Sequence, residues 1–333
     1  MKYPFQKMFA VSACIAALAG PTAFAQSAEK SVLQLEGKIP LGDVRGRIDH
    51  MAVDPKRQRL FVAELGNNTV GVVDLAKKSV IQRLTGLKEP QGVGYEPSSD
   101  TLFVANARDG SVRFFEGDAY KAAGGIDLGG DADNIRIDTA AKHVIIGYGE
   151  GGLAVLDPAS RKTIGNASLK AHPESFQLDR NGRIFVNLPD ARAVAVVDSA
   201  LGKQLASWPM DKSGNFAMAI DRDRNLLLVV FRSPPELAVL SLADGKRIAT
   251  VDTCGDVDDL FIDQKRNRIY LSCGAGFVDV FEINGGAYRR MSRIPTAPGA
   301  RTSFFALELD RLLVAARATS AEPAAIWVFR PLP

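Results

Sequence analysis

An all-β fold of small repeated sheets is what this 333-residue sequence predicts, on three observations. Short apolar runs recur at a near-constant interval, each unit divides into four β-rich runs separated by turn residues, and no window beyond the first segment shows a sustained helical period. The first series is Leu60-Phe61-Val62, Leu102-Phe103-Val104, Val144-Ile145-Ile146, Ile184-Phe185-Val186, Leu227-Leu228-Val229, Ile269-Tyr270-Leu271 and Leu312-Leu313-Val314, starting 42, 42, 40, 43, 42 and 43 residues apart. A second series keeps step with it, from Val72-Val73-Asp74 to Val328-Phe329-Arg330. A period of about 40–45 residues with four strands per unit is that of a β-propeller blade, and the missing 3.6-residue period excludes helical solenoids. The prediction is a seven-bladed β-propeller, four antiparallel strands per blade.

The chain opens on an address. Residues 1–25 carry Lys2 and Lys7, an apolar run from Met8 to Gly20, and Ala23-Phe24-Ala25 before Gln26, the pattern of a secretory signal peptide. Cys14 sits inside the apolar run, a poor position for a lipid anchor. The expected domain layout is therefore a signal peptide over 1–25 and a propeller over 26–333, periplasmic or secreted. Ser31–Leu41 alternates like a strand but precedes the first repeat. Residues 50–87 show one unit in full: HMAVD, RLFVAEL, TVGVVDL and SVIQRLTGL, parted by PKRQ, GNN and AKK. The last unit reaches its third strand at Ile326–Arg330 and the chain stops at Pro333, leaving no outer strand. Unpaired edges invite aggregation, so Ser31–Leu41 is expected to complete the last blade and close the ring.

Composition excludes much else. With 46% hydrophobic and 24% charged residues the chain is neither disordered nor collagen-like, and no long uncharged apolar stretch after the first segment predicts a membrane span. Without Lys2 and Lys7, 39 basic residues face 38 acidic ones, so no strongly basic, polyanion-binding surface is indicated. Gly147-Tyr148-Gly149-Glu150-Gly151-Gly152 has dinucleotide-fingerprint spacing but falls in a hairpin turn with no helix to receive a pyrophosphate. Nucleophile-elbow, Walker, H-E-x-x-H and C-x-x-C motifs are missing from the sequence. Beyond the first segment two cysteines remain, Cys254 and Cys273, an even number in an oxidising compartment; they are expected to pair, two small buried thiols being the other reading.

Strand-end tetrapeptides Phe61-Val62-Ala63-Glu64, Phe103-Val104-Ala105-Asn106 and Tyr270-Leu271-Ser272-Cys273, with the repeat phase and the leader, make the chain resemble the YVTN-repeat propellers, particularly the periplasmic YncE-like group. The resemblance covers the chain beyond residue 25. It implies a soluble seven-bladed propeller outside the cytoplasm, with nucleic-acid or protein-partner binding among the group's roles and no shared catalytic residues.

Loops joining each outer strand to the next inner strand open on one face, with those joining second and third strands, and propeller function gathers at that channel mouth. Counting back from the end of each inner strand places Asp49, Gln91, Asp133, Glu174, Phe216, Asp258 and Arg301 there, followed by His50, Gly92, Asn134, Ser175, Ala217, Asp259 and Thr302. The candidate site is thus Asp49, His50, Gln91, Asp133, Asn134, His172, Glu174, Asp258 and Arg301. Three readings stand. The carboxylates hold neighbouring loops through backbone N–H groups; or Asp49, Asp133, Glu174 and Asp258 take a divalent cation with His50 or His172; or the same groups bind a small cationic or polar ligand without metal, with Arg47 or Arg301 as counter-charge. Binding of a small ligand, metal ion or protein partner by a monomer is the expected function. A metal-assisted, lactonase-like hydrolase or lyase and a scaffold without mouth chemistry are the alternatives.

Overall fold

The computed structural model describes residues 31–333 except Leu201, together with Met1 and Pro4; the leader expected over 1–25 lies outside the described residues. The chain divides into Met1–Lys30 and Ser31–Pro333, and the second unit is built from seven antiparallel sheets of four strands each, set in a ring. Blades 1 to 6 run in simple order, from Met51–Leu84 through Pro90–Asp127, Ala132–Ser168, Phe176–Pro209 and Asn215–Asp252 to Val257–Pro295. Among the described residues no helix is long and apolar enough to cross a membrane.

Blade 7 takes its inner three strands, Ser303–Ala306, Arg311–Ala316 and Ala325–Pro331, from the end of the chain, and its outer strand, Leu33–Pro40, from near the start. Leu33 pairs with Pro331 and Pro40 with Ala325. This is the closure that the alternation of Ser31–Leu41 predicted.

Seven apolar layers form the core, one between each pair of neighbouring blades. A strand covered on both faces has no solvent side, which is why second strands such as Leu60-Phe61-Val62-Ala63 read as continuous apolar runs instead of alternating ones. Outer strands alternate, as along Lys203–Pro209. In all seven blades the register slips by a bulge where the outer strand pairs with the third. Such bulges twist an exposed edge away from further pairing.

On the face opposite the mouth, charged staples join blades. The inner-strand terminal acids Asp54, Asp221 and Asp263 each accept from the arginine three residues on, and that arginine reaches the next blade: Arg57 to Asp100, Arg224 to Asn267, Arg266 to Asp310. Arg57 and Arg266 hold the Asp100 and Asp310 carboxyls below the usual range, so this contribution to stability is present above the unfolded carboxylate pKa and lost as pH falls through the folded one.

Gly147–Gly152 spans a hairpin, with Tyr148 opposite Gly152. Cys254 and Cys273 are joined, their Cα atoms 5.9 Å apart, and both are buried. Closing a loop of 19 residues' separation restricts the unfolded chain by about 3 kcal/mol. Cys254→Ser with Cys273→Ser is therefore expected to lower stability by about 2–3 kcal/mol in chemical denaturation; a loss under half a kcal/mol would show that the bridge constrains little.

Candidate functional site

Local backbone decides which mouth side chains leave the blade. The inner strands of blades 2, 3, 5 and 6 carry a second bulge at their mouth ends, between Pro90 and Val93, Ala132 and Ile135, Asn215 and Ala217, and Val257 and Asp259. Gln91, Asp133, Asn134, Phe216 and Asp258 lie in these bulges, where the two-residue alternation is broken and a side chain can be re-aimed. Gly92 is required here, because a Cβ on it would collide with the Asp133 carbonyl. Blades 1 and 4 reach the same place differently: Asp49 N–H donates to Ala63 O at 2.8 Å and Glu174 N–H to Asn187 O at 3.0 Å.

Asp133 is the centre. One oxygen, Oδ1, lies 3.8 Å from His50 Nε2, and the other, Oδ2, 3.9 Å from His172 Nε2. Histidines from blade 1 and from the loop entering blade 4 thus meet across one carboxylate of blade 3. His50 also stands 3.8 Å from Asp49 and 3.9 Å from Asp259, and its Nε2 is 2.9 Å from Asn134 Nδ2. His172 Nδ1 is 2.6 Å from Gly149 O, which places the proton on that nitrogen. Asp133 is 6% exposed, and its Oδ1 is buried with no hydrogen-bond partner. A buried acceptor left unpaired is costly and calls for an explanation.

Arginines flank this centre. Arg47 Nη2 donates to Asp49 Oδ2 at 2.7 Å and reaches Gln91 Oε1 at 3.4 Å. Arg301 pairs with Asp258 and Asp256, both at 3.0 Å. Arg232 also holds Asp258, with its guanidinium 3.4 Å over the Phe216 ring. Asp259 Oδ2 accepts from Ser303 N–H of blade 7 at 2.8 Å, the loop-holding role realised at one carboxylate.

Crowding shifts the proton affinities. Burial pushes the Asp49 and Glu174 carboxyls up to about 7, with the charges of Asp133 and Asp258 adding to it in both cases. Burial likewise takes Asp259 to about 6. Burial works against charge on His172, but Asp133 and the Gly149 carbonyl outweigh it and carry the imidazole to about 9. His50 is also raised, its burial outweighed by Asp49, Asp259, Asp133 and Asp258. Asp133 itself stays below the usual range, its burial overcome by the two histidines and Arg47.

All nine predicted site residues lie at this end of the ring, and Asp49, Asp133, Glu174 and Asp258 are near enough to feel one another's charge. They do not form a ready cation cage. Among the described residues no group of three or more His, Cys, Asp or Glu is placed to hold a metal ion, and Asp258 is taken by two arginines.

Below the mouth runs an axial cavity of about 460 Å³, lined among others by His50, Arg136, Ser175, Gln177, Asp259 and Phe261. Arg136 was missed by reading loops alone, since it lies inside an inner strand. Its signal is nevertheless in the repeat: the equivalent positions are Ala52, Gly94, Gln177, Ala219, Phe261 and Phe304, none charged.

Comparison with known proteins adds the fold and no narrower relation. No protein-family model matches the chain, and no curated protein matches it by sequence. A chain of the mitotic checkpoint complex is similar in structure with a TM-score of 0.77 at 14% identity, covering 97% of this chain and 98% of that one. A chain of hydrazine synthase from Kuenenia stuttgartiensis is similar with a TM-score of 0.71 at 14% identity, covering 84% and 96%. What these likenesses establish is the seven-bladed β-propeller itself.

Proposed function

We propose that this chain is an exported propeller that binds a small polar ligand at the axial mouth, within the YVTN-repeat group that its strand-end tetrapeptides resemble. One observation carries the reading: Asp133, its carboxylate set between His50 and His172, keeps a buried, unpartnered Oδ1 on the His50 side at the mouth of a cavity of about 460 Å³. That volume falls in the range of small-molecule sites, which combine apolar walls with a few converging polar groups. A structural loop-holding cluster would satisfy its acceptors internally; this one leaves its central acid short of a donor. The buried disulfide beside the mouth suits an oxidising compartment.

Thermal melts of the purified chain with small amines, organic acids and sugars test this, alongside Ca²⁺, Mg²⁺, Zn²⁺ and a chelator. At least one organic compound is expected to raise Tm by several degrees in the wild type, and by much less in Asp133→Asn. A shift produced only by a metal and reversed by chelator would favour the cation and its hydrolase or lyase chemistry. Melts unmoved by every addition would return the chain to the scaffold reading.

A further inference from the structure

We propose that the axial channel receives a monoanionic organic acid, its carboxylate seated on the guanidinium of Arg136. This rests on the small-ligand reading above and names the ligand's chemical class.

Four of the arginines at the mouth and in the upper channel are Arg47, Arg232, Arg301 and Arg136, and the first three are bound to carboxylates. Arg136 is different. Among the described residues it forms no salt bridge, and Asp259 and Asp133 act on it through their charge alone. Its hydrogen bonds run from a single nitrogen, Nη1, to Asn134 Oδ1 and to the Ile135 carbonyl at 2.9 Å. These hold the side chain in place while Nε and Nη2, the edge that matches a carboxylate's two oxygens, make no hydrogen bond to the protein. The guanidinium carbon also lies over the Phe176 ring, 5.6 Å from its centroid. Arg136 lines the cavity and is half-buried.

A cation drawn half out of water without an ion-pair partner carries a cost, and burial lowers its proton affinity here against the support of Asp259 and Asp133. The repeat offers six alternatives without that cost, since every equivalent position is small, apolar or an amide. The surroundings also limit the anion. Ile135, Met218, Phe261 and Phe304 line the same cavity, together with Gln177, Arg222, Asp258 and Asp259. The hydrocarbon part of these walls suits an apolar or aromatic body, while the two carboxylates on the same lining disfavour a second negative charge on the ligand, as inorganic phosphate would carry. One guanidinium neutralises one carboxylate. Asp259, accepting from Ser303 N–H on one oxygen, leaves its other oxygen for a donor on the same ligand or for its own proton.

The test pairs acids with their neutral amides on the full chain at pH 6.5: benzoate against benzamide, 2-naphthoate against 2-naphthamide, octanoate against octanamide, with inorganic phosphate as a further arm. Calorimetry and thermal melts are expected to show at least one acid binding ten times or more tightly than its amide, phosphate giving no shift, and Arg136→Gln losing at least tenfold for that acid. Arg136→Lys should recover part of the loss, because it keeps the charge but not the planar fork. Should Arg136→Gln fail to fold, the acid-to-amide ratio in the wild type decides. Equal binding of acid and amide, or phosphate binding as well as the acids, overturns the proposal. Acids without effect, where amines or sugars still shift the melt, overturn it too while leaving the mouth as a binding site; melts unmoved by any compound sink both.

Discussion

Removing residues 31–41 is expected to unfold the ring, not to trim it. The segment supplies the whole outer strand of blade 7, Leu33–Pro40, and buries Val32, Leu33, Ile39 and Leu41 in the two layers on either side of that blade. Four buried aliphatic side chains at roughly 1.5–3 kcal/mol each represent at least about 6 kcal/mol. That is comparable with the whole stability of an ordinary domain, about 5–15 kcal/mol. Deletion also exposes the Ala325–Pro331 edge at the join of chain start and chain end. The expected outcome is an insoluble product, or a melting temperature lower by on the order of 15 °C or more. Scanning calorimetry of the truncated chain checks it, with Lys38→Ala as the control: Lys38 is exposed, and its surface pair with Glu322 and its contact over the Trp327 ring are each worth about 1 kcal/mol or less, so that change should move Tm by only a few degrees. A truncated ring melting with the full chain would show that closure contributes nothing.

Asp133→Asn is expected to flatten the fall of stability with pH. His172 is carried to about 9 in the folded protein against an ordinary 6.5, so its contribution is complete below about 6.5 and lost as pH rises through 9. Asp49 and Glu174, pushed up to about 7, act in the same direction over a lower window: their contribution is present below the unfolded carboxylate pKa and lost as pH rises to about 7. The wild type should therefore lose stability steadily from pH 5 to pH 9, on the order of 2–3 kcal/mol through His172 alone. Replacing Asp133 removes the main support for charge on His172, and only an addition to what burial does at Asp49 and Glu174. Urea denaturation at pH 5, 7 and 9 should show the slope between pH 7 and 9 reduced by half or more, and the His172 ring protons should titrate nearer 6.5. A variant with the wild-type slope would mean that Asp133 does not govern the cluster.

Periodicity is a local property, and it made the architecture legible. Strand order, blade number, the closing segment and the cysteine pair all follow from residues read along the chain, because each blade repeats one short pattern and a strand's partner is fixed by that pattern. Counting back from the turn-proximal end of each inner strand also placed the nine mouth residues at one end. It could not tell which of them would touch. Whether Asp133 faces His50, His172 or solvent depends on bulges that displace the inner strands of four blades, and a bulge arises from pairing between strands rather than from composition.

Arg136 marks the other boundary. Its place in the repeat is visible as the one charge among seven equivalent positions, but a charged residue in a strand reads equally as a solvated edge. Only the closed ring puts that strand beside the axis, walls it with Phe261 and Phe304 from distant blades, and leaves its guanidinium without a carboxylate. The chain by itself therefore determined seven sheets, their order and their seal. The tertiary structure decided which acids share protons and which of the mouth and upper-channel arginines lacks a carboxylate, because those depend on distances such as His50 to Asp133 and His50 to Asp259, between residues far apart in the chain, that exist only once the circle is complete.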